Sequence, residues 1–156
     1  MDIKFFGVNP KSLIEKTIEI KNKKEDEKNP YIMSWCVFDI DEFTREDFNR
    51  AYDLAVKNKI EVAYSNKCFE LWFLLHFSYV QSAMLVKDYI KRLDTLLCRK
   101  YKKNDKEIYS LLKNKQEIAI KNAKKLLEYQ KNKKLYDRNP STTVYKLVER
   151  LNEYKK

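Results

Sequence analysis

The chain has 156 residues, 44% of them hydrophobic and 36% charged, enough for one domain with its own core and too few for two comfortable ones. No apolar run reaches the ~18 residues of a membrane span, no basic-then-apolar leader opens the sequence, and three widely spaced cysteines beside one histidine argue against a zinc site and for a reducing cytoplasm. The net charge of +10 is uneven: residues 1–80 carry 12 Lys and Arg against 14 Asp and Glu, and residues 81–156 carry 21 against 9, which points the second half toward a polyanion.

"DIKFFGV" (2–8) has the composition of a short strand ending near the single glycine, Gly7. Asn9-Pro10 then predicts a helix, with Asn9 as N-cap and Pro10 in the first position. Leu13, Ile14, Thr17, Ile18 and Lys21 recur at its spacing, and the polar stretch 21–30, closed by Pro30, reads as a loop. "YIMSWCVFD" (31–39) is apolar on both faces, the pattern of a central strand in a parallel sheet. Thr44-Arg45-Glu46-Asp47 is a near capping box, followed by an apolar stripe of Phe48, Ala51, Tyr52, Ala55 and Val56 and a stop at Asn58. "IEVAYS" (60–65) is the next strand, Ser65-Asn66 a turn, and "CFELWFLLHF" (68–77) a buried helix. The order β-α-β-α-β-α predicts a parallel α/β sheet over residues 1–80.

A basic helical extension is expected over 81–156, within one domain spanning 1–156. Leu85, Tyr89, Leu93, Leu96 and Leu97 mark a helix from Ser82 that is broken at Asn104-Asp105. A second helical stretch, 106–133, carries a kink near Lys113–Lys115. Asn139-Pro140-Ser141 predicts a last helix, with Val144, Leu147, Val148 and Leu151 on its inner face.

Asp39, Asp41 and Glu42 crowd the end of the second strand. In parallel sheets functional groups gather at the carboxyl ends of strands, and alternation puts residues i and i+2 on one side. Carboxylates so placed suit Mg²⁺ or Mn²⁺, and with the ion bound they suit phosphodiester hydrolysis. A solvated acidic turn at a helix N-terminus explains the same residues, and a lone D-x-D does not choose between the two.

Three blocks, "VFDIDEFTREDFNRAYDLA", "VAYSNKCFELWFLLHF" and "RNPSTTVYKLVERL", together resemble the RloB-like family over about residues 2 to 152. The middle block is the most specific. The resemblance implies a Toprim-like core related to the nuclease domains of OLD-type proteins. It implies a Mg²⁺- or Mn²⁺-dependent nuclease module acting on DNA or RNA in anti-phage (restriction or abortive-infection) systems, sometimes beside an AAA-type ATPase. Asp39 and Asp41 match the D-x-D metal ligands, with Glu42 as their neighbour. Ser65, Asn66 and Glu70 match an S-N-x-x-F-E block, with Glu70 as a catalytic carboxylate, and His76 matches the histidine of an L-H-F motif. Lying two turns into an apolar helix, His76 reads more simply as a core residue.

The pattern departs from Toprim domains at the start. "MDIKFFGVNP" aligns with their second strand, and the first strand with its glutamate has no counterpart here. The expected consequences are an exposed sheet edge that invites homo-oligomer formation, or a non-catalytic nucleic-acid- or partner-binding module. Lys100, Lys102 and Lys103 around Tyr101, the lysines before Tyr136, and Arg138 offer phosphate neutralisation with base stacking. Ser141 and Thr142, at the predicted start of the last helix, offer hydroxyls and backbone N–H groups to a phosphate. No Gly-rich phosphate loop and no G-x-S-x-G elbow is present.

Overall fold

Asn9 begins the first helix as its composition requires: its side-chain oxygen accepts from the Ser12 N–H at 2.9 Å, and Pro10 fills the first position. The computed structural model describes residues 1–40 and 43–154. Helix α1 (Pro10–Asp26) runs five residues past Lys21. Lysine and glutamate are good helix formers, and the Lys24–Glu27 ion pair at 2.7 Å closes its end. Residues 2–8 form no strand. Ile3 is 61% and Phe5 92% exposed, and β-propensity without a ladder partner does not hold a strand. Asp2 instead accepts from the Tyr31 hydroxyl at 2.6 Å.

Strand β1 (Trp35–Asp39) is followed by helix α2 (Arg45–Lys57) and strand β2 (Glu61–Asn66). Thr44 caps α2, accepting from the Asp47 N–H at 3.1 Å while donating its own hydroxyl to the Asp47 carboxylate at 2.7 Å. Asn58 stops the helix. Phe48, Ala51 and Ala55 are buried, but Val56 is 62% exposed. Strands β1 and β2 run in the same direction, with Glu61 N–H donating to the Ser34 carbonyl and Ile40 N–H to the Ser65 carbonyl.

The helical half contains α3 (Glu70–Leu75), α4 (Val86–Leu97), α5 (Ile108–Leu112), a 3₁₀ turn at Lys113–Lys115 where the kink is expected, and α6 (Gln116–Tyr129). Helix α4 ends six residues before the expected break, because Cys98 adopts a left-handed φ of 54° and turns the chain. Strand β3 (Ser141–Thr142) then precedes helix α7 (Val144–Glu153).

The sheet order is β1-β2-β3, so β2 is central and β1 lies at an edge with Val37 42% exposed. This corrects the expectation of a central 31–39 strand in an all-parallel sheet, since β3 pairs antiparallel to β2. The fold is mixed α/β with a small three-stranded sheet.

By contact density the chain forms two compact units, Met1–Phe38 with Glu42–Val62, and Asp39–Asp41 with Ala63–Lys156. The first has its core around Ile14, Cys36, Ala51, Ala55 and Ile60. In the second, α3 packs on α4 and α6, burying Leu71, Leu74, Leu75, Leu93, Ala119, Ala123 and Leu126. No helix among the described residues is long and apolar enough to cross a membrane.

Candidate functional site

The carboxyl ends of β1 and β2 come together in the second unit. Asp39 closes β1, and Ile40 donates its N–H to the Ser65 carbonyl at 3.0 Å, tying that end to β2. The chain leaving β2 passes a cis Asn66–Lys67 peptide and enters α3 with Cys68 and Glu70. Glu70 is only 2% exposed. Its Oε1 accepts from the Tyr101 hydroxyl at 3.1 Å. The Cys68 thiol is pushed up to about 12, first by burial, then by the charge and hydrogen bond of Glu70, with the charge of Asp39 adding to it. Two carboxylates, Asp39 at the end of β1 and Glu70 in the first turn of α3, therefore act on the same sulfur.

Tyr101 is held from several sides. Its N–H donates to Asp94 Oδ1 at 2.6 Å, its ring meets Phe73 edge-on with centroids 5.9 Å apart, and Arg99 beside it pairs with Asp105 at 2.5 Å. Burial, then Glu70, raises its phenol well above the ordinary range. This corrects the expectation that Tyr101 stacks on a base, since it faces inward to Glu70. Lys100, Lys102 and Lys103 on the same segment are exposed.

Ser65 and Asn66 serve the sheet. The Ser65 and Thr142 hydroxyls share a hydrogen bond of 2.9 Å, and Asn66 Nδ2 donates to the Tyr136 carbonyl at 2.8 Å. Ser141 and Thr142 are fully buried in β3, not at an open helix start. Thr142 Oγ1 also accepts from the Val144 N–H at 3.3 Å, while Thr143 exchanges bonds with the Tyr64 backbone on β2, at 2.9 Å through its hydroxyl and 2.8 Å through its N–H. The Asn-Pro-Ser-Thr-Thr segment thus closes the sheet, and the expected phosphate site there is replaced by ladder and hydroxyl bonds. Arg138 donates to the carbonyls of Lys133 and Lys131 at 3.0 and 3.1 Å, which commits much of its guanidinium to the backbone.

His76 is 3% exposed, its Nδ1 2.9 Å from the Trp72 carbonyl and its ring edge-on to Trp72. Burial lowers its pKa, so the ring is neutral at pH 7 and Nδ1–H is the donor to that carbonyl. Several lysines of the helical half cover aromatic rings, Lys115 over Phe77 at 4.1 Å and Lys125 over Tyr79 at 4.4 Å.

Asp41 and Glu42 lie outside the described residues. Among those described, no group of three or more His, Cys, Asp or Glu is gathered to hold a metal. The described carboxylates near this strand end, Asp39 and Glu70, are hard oxygen donors. Cys68, Tyr101, Gln130 and Thr143 are contributors that the sequence reading does not single out for these roles. Tyr101 carried one signal, an aromatic in an otherwise basic, solvated segment.

The RloB-like protein family model matches residues 6–151. No match was found among curated proteins or among solved structures.

Proposed function

The chain belongs to the RloB-like protein family, and from that premise we propose that it is a Mg²⁺- or Mn²⁺-dependent nuclease module with a Toprim-like core, acting on DNA or RNA in anti-phage defence. The observation that carries this reading is the joining of the carboxyl ends of two parallel strands, where Asp39 closes β1, Ile40 N–H donates to the Ser65 carbonyl of β2 and Glu70 follows in the first turn of α3, the place where such sheets collect chemistry. Asp39, with Asp41 and Glu42 next to it in sequence, would hold the ion, which when bound polarises a phosphodiester and acidifies water. Glu70, oriented by the Tyr101 hydroxyl, is the second carboxylate. Lys100, Lys102 and Lys103 neutralise substrate phosphates. An AAA-type ATPase is the partner class and the cytoplasm the compartment in this reading.

The burial of Glu70, with Tyr101 and Cys68 as its hydrogen-bond partners, favours a second reading, a nucleic-acid-binding module without cleavage. A Mn²⁺-dependent cleavage assay on mixed DNA and RNA separates them. The nuclease loses cleavage and metal binding on Asp39→Ala. The binding module retains salt-dependent affinity for nucleic acid and never cleaves.

A further inference from the structure

Beside the end of β1 lies an open pocket of about 300 Å³ lined by Ile40, Asn66, Lys67, Tyr136, Asp137 and Asn139. Its walls are the turn after β2 and the segment leading into β3. The Asn66–Tyr136 hydrogen bond at 2.8 Å ties the two walls together. Gln130, 2% exposed, holds the Asn139 carbonyl at 3.2 Å, and the two Arg138–backbone bonds brace the same segment. The walls are therefore preorganised, which limits the ordering cost of binding. Asn139 Oδ1 itself is shielded from solvent and has no donor in the described fold, so what Asn139 can offer the pocket is its Nδ2 group.

The lining chemistry narrows the ligand. One aliphatic side chain among six does not suit an apolar molecule. A lysine suits a phosphate, two carboxamides suit the hydrogen-bonding edge of a base, a phenol ring suits stacking, and an acceptor-only carboxylate suits a sugar hydroxyl or exocyclic amine. The volume sits at the lower end of small-ligand sites. Asp39 is not among the lining residues, but Ile40 directly follows it in the chain, so the pocket lies one residue along from the candidate metal position.

We propose that this pocket receives one unpaired nucleotide of a nucleic-acid strand, with the neighbouring phosphodiester at Asp39. The inference rests on the nuclease reading for the identity of the strand, and binding without metal tests it separately. A base held in the pocket is out of its stack, so single strands bind in preference to blunt duplex.

The test is fluorescence anisotropy of the full chain in EDTA with a labelled single-stranded decamer of adenylates, the matching duplex, and 5′-AMP as competitor. Single strand binds at least about tenfold tighter than duplex, and 5′-AMP displaces it. Lys67→Gln combined with Asn139→Ala weakens single-strand binding about tenfold. Equal affinity for single strand and duplex, or no displacement by 5′-AMP, overturns the proposal, and neither outcome depends on a variant folding. A chain that binds 5′-AMP but never cleaves with Mn²⁺ keeps the pocket and loses the nuclease reading.

Discussion

The Tyr101 hydroxyl donates to Glu70 Oε1 at 3.1 Å, joining the lysine-rich segment after α4 to the one fully enclosed carboxylate among the described residues. Tyr101→Phe keeps the ring against Phe73 and removes only that donor. A buried acceptor deprived of a partner costs about 1–3 kcal/mol, so the unfolding free energy of the variant falls by that amount and its urea midpoint drops in proportion. If the nuclease reading holds, its kcat also falls while KM changes little, because the carboxylate is less well oriented. An unchanged urea midpoint would show that the bond contributes nothing.

A double-mutant cycle on Ser65 and Thr142 measures how the sheet is closed. Thr142→Val preserves shape but strips a buried hydroxyl that serves both Ser65 Oγ and the Val144 N–H, costing about 1–3 kcal/mol. Adding Ser65→Ala removes the stranded partner, so the double variant loses less than the sum of the two single changes.

The thiols sort by burial. Cys98 is exposed, whereas Cys36 and Cys68 are buried and their pKa values are raised, chiefly by burial. Iodoacetamide at pH 8 labels Cys98 alone in the native protein, and mass spectrometry finds the other two labelled only after unfolding. The same shift acts on stability. The Cys68 pKa is raised from 9.0 to about 12 on folding, so the folded state holds a proton that the unfolded state releases. The stabilisation is complete below pH 9 and is lost as pH climbs toward 12. Cys68→Ala flattens that part of the profile.

His76 is the only histidine, which makes its titration directly readable by proton NMR. Burial lowers its pKa below 6.5. Its ring signals stay in the neutral form as pH falls through 6.5, and stability, complete above that value, declines as the unfolded chain takes up the proton first. Titration of the native ring at an ordinary 6.5 would contradict its enclosure.

Local signals were readable along the chain. Asn9-Pro10 and Thr44 to Asp47 name their caps because a cap is a contact within one turn. The bend at Lys113–Lys115 follows from a run of polar residues inside an apolar periodicity. Long-range closure was not readable. Asn139-Pro140-Ser141 has the composition of a helix start, yet Ser141 and Thr142 pair with β2 because the fold leaves that side of β2 open to them. Residues 2–8 show the opposite failure, strand propensity with no partner to express it. At the site, strand alternation and the S-N-x-x-F-E match led to Asp39 and Glu70. Tyr101, 31 positions from Glu70, could not be linked to it by any periodicity.

The pairing of Ser65 with Thr142 spans 77 residues, and it sets the order of events during synthesis. When β2 leaves the ribosome its far edge has no mate, and it stays bare for several seconds at ordinary elongation rates of roughly 5–20 residues per second. A nascent chain in that interval carries Asp39 and Glu70 on an unfinished scaffold, and the sheet that positions them is complete only once Thr142 has been made and has left the ribosome.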